Sequence, residues 1–112
     1  MQYKPIHGAM KVRLREPFFD DYTVVLCTDI EQVGAVKYEY LLVILDNVKQ
    51  EPVYFVSSEV NDMAALLGGG SHALCVFDGD GHANMGFSDD WADEKTFLAE
   101  AGRLARERFR PT

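Results

Sequence analysis

Polar and apolar positions alternate in the first clear segment of the chain, Lys11 to Glu16, where Val12 and Leu14 are set among Lys11, Arg13 and Arg15. A period of two is the pattern of a half-buried strand, and cations along it suit a sheet edge, where they discourage stray pairing. Pro17 is expected to stop this strand, since proline has no amide hydrogen to give to a ladder. Tyr22 to Ile30, rich in β-branched residues, reads as the second strand. Gly34 then marks a turn before the longest strand, Val36 to Asp46. In its first half Val36, Tyr38 and Tyr40 alternate with Lys37 and Glu39, which places Tyr38 and Tyr40 on one side of the sheet with Tyr22 across from them. Its second half, LLVIL, is apolar on both faces and so belongs at the sheet centre, covered on both sides. A loop holding Asn47 and Pro52 leads to the next strand, Val53 to Ser58.

The period changes in the last third. Asn61 and Asp62 offer a cap and first-turn acid for a short helix over Asn61 to Leu67, ended by Gly68, Gly69 and Gly70. These glycines lack the context of a phosphate loop: no lysine follows them, and they lead into a strand, not a helix. Ala73 to Phe77 and Ala83 to Phe87 flank Asp78-Gly79-Asp80-Gly81, a strong hairpin signal because glycine accepts the positive φ of a tight turn. Ser88, Asp89 and Asp90 cap a final helix beginning near Trp91. In it Phe97, Leu98, Ala101, Leu104, Ala105 and Phe109 recur at spacings of three and four, with Lys95, Glu100, Arg103, Arg106 and Glu107 outside the stripe. Arg103 and Glu107 stand four apart and are placed to pair. Pro111 closes the segment.

These elements predict one α+β domain over residues 1–112: an antiparallel meander of five or six strands, a short connecting helix, and a C-terminal amphipathic helix on one face. A meander is favoured because successive strands joined by short loops pair with their neighbours. The predicted core is Leu42, Ile44, Phe55, Val76, Phe77, Phe97, Leu98 and Leu104.

Composition narrows the function classes. With 47% hydrophobic residues in 112, the chain can bury an ordinary core without staples. A formal net charge of −7 argues against nucleic acid, whose phosphates need a basic face. Arg103, Arg106, Arg108 and Arg110 crowd the end of the last helix, where cations complement its dipole. Cys27 and Cys75 each lie in an apolar run and read as buried, reduced thiols. The first 16 residues have no apolar core of the signal-peptide kind, and no run approaches the roughly 20 residues that cross a bilayer. A cytoplasmic protein without a membrane or cofactor is therefore expected.

Candidate chemistry is sparse. His72, Asp78, Asp80, His82 and Asn84 gather potential ligands within one hairpin, and imidazole with carboxylate suits a divalent transition metal. DGDGHAN resembles a calcium loop only in its first and third acids: Ala83 stands where the glycine should be, and Asp89 where the bidentate glutamate should be. The Asp-Gly repeat is accounted for as a turn. No nucleophile elbow, dinucleotide fingerprint or CxxC occurs, so no residue is assigned a catalytic role. Tyr22, Tyr38, Tyr40 and Trp91 are the interface candidates, because tyrosine and tryptophan bury large area at little entropic cost; packing within the sheet, where cross-strand aromatics add stability, is the favoured reading of the tyrosines. The leading expectation is a small acidic non-catalytic interaction module (an inhibitor, immunity-type or adaptor protein) facing a basic protein partner; a homodimer is compatible with it. The rival is a ligand- or metal-binding protein or enzyme using the hairpin. A cavity between helix and sheet with converging polar groups is what a ligand site would require.

Overall fold

The computed structural model describes residues 9–32, 34–63, 69–79 and 81–111. Among these residues six strands appear in chain order: β1 (Lys11–Phe18), β2 (Tyr22–Thr28), β3 (Tyr38–Asp46), β4 (Glu51–Val60), β5 (His72–Asp78) and β6 (Gly81–Ser88). They form one antiparallel sheet in the order β1-β2-β3-β4-β5-β6, the expected meander. A 3₁₀ turn (Asp89–Ala92) and helix α1 (Glu94–Phe109) complete the α+β domain. The short helix expected over Asn61–Leu67 falls mostly outside the described residues, as does Asp80.

Two caps set the course of the C-terminal segment. Ser88 accepts from the Asp90 amide at 3.1 Å and starts the 3₁₀ turn. Asp93 then accepts from both the amide (2.9 Å) and the hydroxyl (2.7 Å) of Thr96 and starts α1. The helix therefore begins after Asp93, not near Trp91, because the Asp93 carboxylate satisfies a first-turn donor there. The Arg103–Glu107 pair forms at 2.9 Å, and Glu100 joins it at 2.7 Å.

The helix packs on one sheet face. Phe97, Ala101 and Ala105 are fully buried against Leu26, Leu42, Ile44, Tyr54, Val56 and Leu74. Small alanines let the helix axis approach the sheet closely, while Phe97 fills the space over Tyr40, its ring centroid 5.5 Å away. The opposite face holds a second cluster of Val25, Cys27, Ile30, Leu41 and Val43. Both faces of LLVIL are thus covered, as its continuous apolarity requires. Of the predicted core, Leu42, Ile44 and Phe97 are fully buried; Val76, Leu98 and Leu104 lie at the rim of the helix-side cluster and Phe55 at the rim of the other. Phe77 is half-buried and belongs to neither.

Three local expectations are corrected. Strand β1 runs through Pro17, which pairs with Thr23; on an edge strand the missing amide faces no neighbour. A bulge between Val12 and Leu14 sends these side chains to opposite faces, with Val12 left 55% exposed. Another between Tyr38 and Tyr40 does the same: Tyr40 packs with the helix-side cluster and Tyr38 with the other, not on one side as strict alternation implied. Each inserted residue breaks the period of two at that point.

Candidate interaction edge

The hairpin built by β5 and β6 does not gather the four candidate ligands among its described residues. His72 opens β5, buried, with Nδ1 2.7 Å from Ser71 Oγ and Nε2 3.2 Å from Glu39 Oε1. Asp78 closes the same strand about 20 Å away at the usual rise per residue, and its Oδ2 accepts from Arg108 Nε at 2.6 Å. That ion pair fastens the C-terminal end of α1 to the hairpin. His82 is exposed on the other sheet face and stacks on Phe77, centroids 4.5 Å apart. Asn84 Oδ1 accepts from the Gly86 amide at 2.8 Å and shapes the bulge in β6. Among the described residues no three His, Cys, Asp or Glu side chains converge as a metal site would need. Gly79 holds φ +63°, the left-handed conformation that the hairpin turn demands.

The glycine run before β5 has a packing role. A side chain on Gly70 would occupy the space of the Ser88 backbone, so the two segments meet as closely as they do only because Gly70 has none. Asn61 bridges the same region, its Nδ2 donating to the Gly70 carbonyl at 3.0 Å.

The aromatic candidates are largely engaged within the fold. Tyr22 lies 4.7 Å from the Phe109 ring, and Tyr40 donates from its hydroxyl to the Ala92 carbonyl at 3.1 Å. The Trp91 carbonyl accepts from the buried Ser58 hydroxyl at 2.6 Å, tying the 3₁₀ turn to β4. Its indole Nε1 is buried with no hydrogen-bond partner among the described residues. Tyr38 stands near Glu59, whose Oε2 accepts from the fully buried Ser57 hydroxyl at 2.7 Å. Cys75, directly across from Ser57, has its thiol pushed up to about 12, first by burial and then by the Glu59 carboxylate. Burial likewise raises Cys27. Both cysteines are free and buried, held in the protonated form that is a poor nucleophile.

Among the described residues the sheet's two edges stay open, and they differ. Along β1 stand Lys11, Arg13, Arg15, Glu16 and Pro17, charges and a proline that keep an edge from pairing. Along β6, GHANMGFS, there is no carboxylate, lysine or arginine. Its Met85 and Phe87 are 52% and 53% exposed, among the most exposed large apolar side chains described. Aspartates follow at one end (Asp89 and Asp90) and precede it at the other (Asp78). The absence of charge in β6 is visible in the sequence. That β6 is an edge follows from the meander, whose last strand has a neighbour on one side only.

Comparison with known protein families, with curated proteins and with solved structures finds no match to this chain. Among the described residues no helix is long and apolar enough to cross a membrane.

Proposed function

We propose that this protein is a non-catalytic interaction module that adds an extended segment of a basic partner protein to its sheet along β6. The carrying observation is the contrast between the edges: β1 is guarded by charge and proline, while β6 is uncharged and displays Met85 and Phe87. An edge strand offers a row of free amide and carbonyl groups, and a second strand that satisfies them gains backbone hydrogen bonds and side-chain burial together. Asp89 and Asp90 after the strand, in a chain of net charge −7, favour a partner segment with a cation beside its apolar centre. The tyrosines are half-buried against the rims of the two core clusters, so the reading is carried by β6.

The test is retention of partner proteins from native cell extract, comparing the protein with its Met85→Lys, Phe87→Lys variant at low and moderate salt. Both positions are exposed, so the variant is expected to fold. Proteins retained by the unaltered chain should be absent from the variant, and raised salt should release them, because exposed charge pairs are screened. An identical set retained by the variant would remove β6 from the account.

A further inference from the structure

We infer that the groove between β1 and α1 is a binding site for a long-chain carboxylate, with the aliphatic chain on the groove floor and the anionic head at Arg106. The groove lies on the helix side of the sheet at the edge opposite β6, and the inference does not rest on the interaction reading. Its volume is about 360 Å³, within the range of small-molecule sites. Leu14, Phe18, Val24, Leu42 and Leu98 line it with hydrocarbon. The helix contributes only Ala99 and Gly102 between its larger side chains, which keeps the trough open.

The shape is a channel along the helix. Arg13 is paired with Glu94 at 3.2 Å at one end, and Tyr22, across from Phe18, meets Phe109 at the other, so β1 and α1 run side by side. Lys95 and the position of Gly102, over which the Arg106 guanidinium folds, are seven residues apart, about 10 Å along the axis. That span suits an extended alkyl chain better than a compact ring system.

Charge selects the head group. Of the four cations within α1, Arg103 and Arg108 are held in ion pairs, whereas Lys95 and Arg106, the two that face the groove, have none among the described residues. An unpaired guanidinium beside hydrocarbon offers a carboxylate two parallel hydrogen bonds in a setting drier than bulk water. Arg106 is placed for this by Gly102: its Nη1 lies 3.1 Å from where a Gly102 side chain would begin, so the guanidinium folds back along the helix toward the groove. The one carboxylate of the lining, Glu16 on the β1 wall, opposes an anion in the trough, so its removal should favour the head group.

Amide-resolved NMR titration with dodecanoate, below its micelle concentration, tests the inference. Saturable shifts should fall on the groove residues of β1 and α1. Methyl dodecanoate, which has the chain without the charge, and butanoate, which has the charge without the chain, should each bind at least about tenfold more weakly. Arg106→Gln should weaken dodecanoate by about tenfold, Lys95→Gln by less, and Glu16→Gln should tighten it. Ala99→Phe, at an exposed helix position that tolerates a large side chain, should block the trough without unfolding the protein. Any of four results overturns the inference: no saturable shifts, shifts centred on β6, equal binding of the ester, or unaltered binding by Arg106→Gln and Ala99→Phe variants that retain the native melting transition. Perturbation of the groove by an acidic amphipathic peptide but not by dodecanoate would overturn it too.

Discussion

Phe97→Ala should lower the unfolding free energy by about 3–5 kcal/mol, measured as a fall in urea midpoint at unchanged slope. Phe97 is fully buried, stacks on Tyr40, and is the largest side chain that α1 inserts between itself and the sheet. Truncation removes its transfer energy and leaves a cavity, because Ala101 and Ala105 on the same helix face have no reach with which to fill it. Leu104→Ala, at a half-buried rim position, should cost less. A midpoint for Phe97→Ala within experimental error of the unaltered protein would contradict the packing of α1 on the sheet.

Alkaline pH should destabilise the fold steeply. Burial pushes the Tyr54 phenol from its ordinary 10.0 to about 12, and burial with the Glu59 carboxylate pushes the Cys75 thiol from 9.0 to about 12. Both groups are neutral when protonated and buried, so the native state holds its protons to higher pH than the unfolded chain does. Their stabilising contribution is complete below the unfolded values and is lost as pH rises through the interval to about 12. At about 1.4 kcal/mol per pH unit between the two values, Tyr54 alone withdraws about 3 kcal/mol, a large share of a small domain's stability. Urea midpoints measured from about pH 8 to about pH 11 should fall continuously, and Tyr54→Phe, Cys75→Ala should flatten the upper part of that decline. A pH-independent midpoint over this range would show that neither group is buried as described.

The fold was legible where local signals and burial agree. The meander follows from short loops between β-rich segments, and the C-terminal helix from its stripe at three-and-four spacing, whose Phe97, Ala101 and Ala105 are the residues buried. The bulges were not legible. A single inserted residue at Tyr38–Tyr40 or Val12–Leu14 reverses the facing of the side chains beyond it, and its cause lies in pairing with β4 or β2, not in the residues themselves. The buried serines were equally hidden: Ser57 and Ser58 are fully enclosed because a carboxylate and the Trp91 carbonyl, distant in sequence for Ser58, accept from them. Four of the five candidate ligands are set apart for a related reason. Alternation along the hairpin divides His72 and Asp78 from His82 and Asn84 across the sheet, and Arg108 claims Asp78. The groove cations were visible as residues outside the helix stripe, but that Lys95 and Arg106 lack partners while Arg103 and Arg108 have them depends on the placement of Glu100 and Asp78.

Amide hydrogen exchange, recorded with and without the protein retained from extract, tests the role of β6 most directly. If a partner strand docks there, amides within Gly81–Ser88 that face away from β5 should slow markedly on complex formation, while those of β1, the guarded edge, keep their free rates. Unchanged exchange in β6 with new protection elsewhere would contradict the account.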